Sequence, residues 1–83
     1  MHADEAGLVD EIANAILYHL QAHPLAADSV EGVARWWLGP ALANVRVEQV
    51  ERALDLLVSH HALRRLSLMD GSILYAQAST TRQ

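Results

Sequence analysis

The chain has 83 residues, 52% of them apolar and 19% charged, a balance that fits one globular domain near the lower size limit for a self-sufficient core. The absence of cysteine excludes a disulfide scaffold, a thiolate metal site and a cysteine nucleophile. The net charge of −4 hides a division. Residues 1–31 carry six acids and no Lys or Arg, whereas residues 32–83 carry all six arginines against four acids.

The first residues, "MHADEAGLVDEIANAILYHL", are acidic ahead of an apolar stretch, where a secretory signal would be basic, so a cytoplasmic location is expected. No apolar run reaches the ~20 residues a membrane span needs. In segment 6–23, Leu8, Val9, Ile12, Ile16, Leu17 and Leu20 share one side at helical spacing, with Asp10, Asn14 and Gln21 opposite. Pro24 disfavours helix at the residue before it, which predicts a first helix near 6–22.

In "LAADSVEGVARWWLGP", Asp28 and Glu31 make a capping-box-like start and Gly39-Pro40 a stop, which predicts a second helix over 29–38. Val30, Val33, Ala34, Trp37 and Leu38 share its inner face. Successive helical residues point about 100° apart, so adjacent tryptophans cannot both occupy that face. Trp37 is therefore assigned to the core and Trp36 to the boundary or surface. Trp36 is either half-covered by neighbouring structure or an anchor for a protein contact, an environment in which tryptophan is enriched.

The helical period returns in "NVRVEQVERALDLLVSHHAL" through Val47, Val50, Leu54, Leu57 and Val58, with Asn44 as a candidate cap, predicting a third helix near 45–60. In "LRRLSLMDGSILYAQA" the period falls to two around Asp70-Gly71, a short hairpin signal. A two-residue turn there pairs Leu68 with Ile73 and Leu66 with Tyr75 on one face, in strands near 63–69 and 72–78. The other face then pairs Ser67 with Leu74 and Arg65 with Ala76. The tail 79–83 is expected to fray.

The stretch "SVEGVARWWL…VEQVERALDLLVSHHALRRLSLMDGSILYAQ" resembles a winged helix-turn-helix domain of the small bacterial regulator type. Val33-Ala34 resemble the Ile-Ala pair of its second helix, Trp37 takes a leucine position, and Asp70-Gly71 take the wing tip. The resemblance covers residues 8–77 and implies a single mainly α domain in the order α-α-α-β-β. It departs from the pattern at two places: His61 stands where glycine usually follows the third helix, and the connection "GPALAN" is longer than the usual turn.

What the resemblance implies functionally is a transcriptional regulator that lays its third helix on double-stranded DNA and sets its wing against the backbone. The DNA-binding residues would be Arg46, Gln49, Arg52, Arg64 and Arg65. Arginine and glutamine are suited to guanine, phosphate and adenine. Glu48, Glu51 and Asp70 oppose this, and a usual footprint neutralises about 6–10 phosphates, more than one copy supplies. A homodimer or a protein partner is therefore expected, with Trp36 at least partly exposed and anchoring contact with a second chain, most simply another copy. The plain alternative for the arginines is a solvated surface with intrahelical pairs such as Glu48 with Arg52. The alternative function is a protein-docking module without DNA binding, with Trp36 as its interface residue.

Enzymatic chemistry finds no support. Ser59 beside His60 is adjacency without a third member, and no phosphate-binding glycine loop is present. His19 and His23 lie four residues apart on the first helix, a spacing that suits a metal, but a third ligand is missing. His60 and His61 diverge at a helix end. Neither a cofactor nor a metal is expected.

Overall fold

The computed structural model describes residues 3–78, with side chains described from Glu5 onward. The expected fraying of the tail 79–83 lies outside the described residues. The architecture is mainly helical with a small antiparallel sheet, in the α-α-α-β-β order, with one further short strand between the first two helices. Helix α1 spans Ala3–Ala22, strand β1 Ala27–Asp28, and α2 begins at Val30–Gly32 and continues as a π-helical turn over Val33–Trp37. After a 3₁₀ turn at Pro40–Leu42 come α3, Val47–Ser59, β2, Leu63–Ser67, and β3, Ile73–Gln77. None of these helices is long and apolar enough to cross a membrane.

The core lies where the three helices meet the inner face of the sheet. Ile12, Ile16 and Leu20 from α1 close on Val33 and Trp37 from α2, on Val50, Leu54 and Leu57 from α3, and on Leu63 and Tyr75 from the sheet. Ile12, Ile16, Leu54, Val33 and Val50 are fully enclosed, so each removes an aliphatic side chain from water at roughly 25 cal/mol per Å². Val47, read as part of this apolar stripe, is 42% exposed in the first turn of α3.

Both predicted helix caps are displaced. Ser29, rather than Asp28, caps α2: its Oγ accepts from the Gly32 N–H at 3.2 Å. Asp28 is held in β1 opposite Tyr75, and its carboxylate accepts from the Ser29 N–H at 2.9 Å. Gly32 belongs here for a steric reason, since a Cβ at this position would sit 1.9 Å from Asp28 Oδ1. Helix α3 starts at Arg46 as its N-cap instead of Asn44, and Gln49 Oε1 accepts from the Arg46 N–H at 2.9 Å. The closing end of α3 does follow the sequence reading. His61 takes φ +65°, its N–H bonds to the Val58 carbonyl at 3.0 Å, and the Ala62 N–H bonds to the Leu57 carbonyl at 2.9 Å. These are the two hydrogen bonds of a Schellman motif, with histidine in the left-handed position.

The sheet order is β1-β3-β2, all antiparallel. The hairpin register differs by one residue from the two-residue-turn reading: Ser67 lies opposite Ile73, Leu66 opposite Leu74, and Arg65 opposite Tyr75. The cause is the loop. The Leu68 N–H bonds to the Ser72 carbonyl at 2.8 Å and the Gly71 N–H to the Leu68 carbonyl at 3.0 Å, so Met69, Asp70 and Gly71 together form a three-residue loop. Gly71 closes it at φ +92°, the left-handed position such loops reserve for glycine. Because side chains alternate with period two, the shift redistributes the faces. Leu63, Arg65, Ser67, Ile73, Tyr75 and Gln77 face the helices. Arg64, Leu66 and Leu68 turn outward with Leu74 and Ala76.

Candidate functional site

The residues expected to meet DNA sit on α3 and β2, and their surroundings are acidic. On the solvent side of α3 stand Glu48, Glu51 and Asp55, with Arg52 as its one cation. Arg52 is bound by Glu5 of α1 through its Nη1, and Arg65 Nη2 donates to Asp55 Oδ1 at 3.0 Å. The intrahelical Glu48–Arg52 pair expected as the plain alternative is replaced by this contact across 47 residues of sequence. Arg65 also lies over the Tyr75 ring, its Cζ 5.8 Å from the ring centre. The Gln49 carbonyl oxygen, half of what a glutamine offers an adenine, is spent on the Arg46 N–H. Of the five residues, Arg46 and Arg64 are exposed without a carboxylate within 4.0 Å among the described residues.

The pair of tryptophans divides as their spacing requires. Trp37 is 6% exposed and Trp36 69%. The π turn is what makes the division so complete. With more than four residues per turn, Val33, Trp37 and Leu38 all reach the core, and Trp36 is carried outward. Such single π turns are frequent at functional positions in helices. A separate groove of about 570 Å³ opens beside α2, lined by Glu31, Ala34, Arg35, Leu38, Pro40 and Val47 among others, and Trp36 takes no part in it.

Behind Trp37 the His19 imidazole is stacked on the indole, ring centres 4.7 Å apart and planes 18° apart, and His23 leans on His19 at 4.6 Å. Burial against the indole, and secondarily the charge of a protonated His23, hold the His19 pKa below the ordinary imidazole value. The pair therefore extends the aromatic packing at the end of α1. No group of three or more metal-ligating side chains occurs among the described residues. Histidine at i and i+4 signalled proximity in the sequence; the stack with Trp37 had no local signal.

At the hairpin tip Asp70 accepts from the Ser72 hydroxyl and from the Ser72 N–H at 2.9 Å. These bonds, the hydroxyl's first, hold its carboxyl below the usual range, so the tip is anionic at neutral pH. Comparison with protein-family models, with curated proteins and with solved structures finds no match to this chain.

Proposed function

We propose that this chain is a protein-docking module of winged-helix type, with Trp36 as the anchor of the contact. The observation that carries the reading is the pairing of a 69% exposed Trp36 with a buried Trp37 on a single π turn. A large ring held on a rigid element, with its neighbour locked in the core, has little conformational freedom to lose on binding. Asp28 and Glu31 lie on the same α2 segment and its approach, and the acids of α1 add to this half of the sequence, so the fitting partner is a basic protein surface. The cytoplasmic setting expected from the sequence belongs to the same proposal.

Regulation through double-stranded DNA is the second reading, supported by Arg46 and Arg64, whose guanidiniums have no carboxylate within 4.0 Å among the described residues. It ranks below docking because the exposed side of α3 carries Glu48, Glu51 and Asp55, each of which repels phosphate. One pair of measurements separates the two. Docking requires a stoichiometric partner co-purifying with the wild-type chain and lost with Trp36→Ala, together with no retention of mixed-sequence duplex at low salt. Duplex binding that falls steeply with salt and is indifferent to Trp36→Ala would reverse the order.

A further inference from the structure

We propose that the outer face of the sheet is a homodimer interface, in which Leu66, Leu68 and Leu74 of two copies pack together and Arg64 of each faces Asp70 of the other. The starting observation is the hairpin register. An antiparallel sheet covered on one side ordinarily presents polar residues on the other. Here the three-residue loop turns Leu66 and Leu68 outward, onto the face that Leu74, Ala27 and Ala76 occupy. Leu66 and Leu74 stand apart from the core cluster and are half-buried, Ala76 between the outer strands is buried, and Leu68 is 44% exposed. Leu25, almost wholly exposed, borders the same face in a shallow depression that Arg64, Leu66 and Ala76 also line.

Charge placement selects the occupant. Arg64 is the only charged side chain among the strand residues of this face and has no carboxylate within 4.0 Å among the described residues. It lies at one end of the face, and Asp70 lies at the other, at the hairpin tip. A two-fold axis lying between two such faces and running across the strands reverses the strand direction. It centres Leu66 and Leu74 on their own copies and carries each Arg64 to the other copy's tip. Arg64 and Leu68 are four residues apart, roughly 13 Å along a strand, and Asp70 lies just beyond Leu68, within the span of a guanidinium stem. An axis along the strands would instead gather both arginines at one end and both aspartates at the other. The arrangement is thus self-complementary in the way a closed dimer demands: residue i meets j and j meets i. The face measures roughly 17 Å by 10–14 Å, far below the ~800 Å² per partner of a standard interface, so the dimer is a weak, reversible one.

The test is sedimentation equilibrium of the full chain from about 5 to 500 µM at low salt. The wild type should fit a monomer–dimer equilibrium. Leu74→Ser should weaken association at least tenfold with an unchanged helical signal; should that variant fold poorly, Leu68→Ser, at an already exposed position, serves the same purpose. Arg64→Glu should weaken the dimer about tenfold, since two symmetric pairs turn repulsive, and adding Asp70→Lys should recover it. Trp36→Ala should leave the dimer intact, because this face and the Trp36 contact are separate. A monomer across the whole range would overturn the proposal. So would a dimer lost with Trp36→Ala but indifferent to the sheet variants, or a charge swap without recovery.

Discussion

Replacing His61 with glycine should stabilise the protein, although the change deletes a side chain. His61 occupies the left-handed position of the Schellman motif at φ +65°, with its N–H and that of Ala62 both bonded back to α3. A side chain in that conformation costs about 1–2 kcal/mol against the following carbonyl, and histidine, more tolerant than most residues, falls at the lower end. Glycine removes this cost but adds about 0.4–1 kcal/mol of freedom to the unfolded chain. His61 is exposed, so little packing is lost. The net gain should be up to about 0.6 kcal/mol, which for a domain of this size raises the Tm by at most about 5 °C. Thermal unfolding followed at 222 nm is the assay. His61→Ala is the control, because alanine keeps the steric cost without the imidazole. A chain in which His61→Ala is as stable as His61→Gly would refute the reasoning, since the backbone conformation would then carry no penalty.

The tryptophans should respond in opposite ways: Trp37→Ala should cost about 3–5 kcal/mol and leave the domain largely unfolded, while Trp36→Ala should stay within about 0.5 kcal/mol, both read from urea titration. His19, whose imidazole is held below its ordinary pKa in the native stack, prefers its neutral form when folded. Its contribution to stability is therefore complete above the unfolded value, near 6.5, and is lost as pH falls from there through the depressed native value. Urea midpoints measured across that window should show the loss in the wild type and a shallower slope in His19→Gln. The Arg52–Glu5 pair is exposed on both sides, so a double-mutant cycle to alanine should return a coupling of only about 0.2–1 kcal/mol that shrinks with added salt.

Much of the fold was legible because its elements answer to short-range rules. The 3.6 period placed α1 and α3, Pro24 ended the first, and the 100° step between neighbours was enough to send Trp37 inward and Trp36 outward. The left-handed position of His61 followed from where α3 had to stop. For the surface, the sequence supplied the cations of the expected DNA face but not their partners. Glu5 and Arg52 are brought together by the packing of α1 on α3, and Asp55 reaches Arg65 only once β2 lies along α3. No periodicity encodes a contact over such separations, and its effect is to neutralise two of the arginines that resemblance had assigned to phosphate. Strand β1 was invisible for a related reason: two residues show no period, and Ala27 and Asp28 become a strand by pairing with Ala76 and Tyr75. The hairpin is the sharpest division. Asp70-Gly71 announced a turn, but two-residue and three-residue loops share that dipeptide, and the choice between them moves every β2 side chain to the opposite face relative to β3. Leu63 and Tyr75 have to close the core over α3, and that tertiary demand sets the register. The same choice turns Leu66 and Leu68 outward beside Leu74, so whether this chain carries a second apolar face was decided by packing rather than by local pattern.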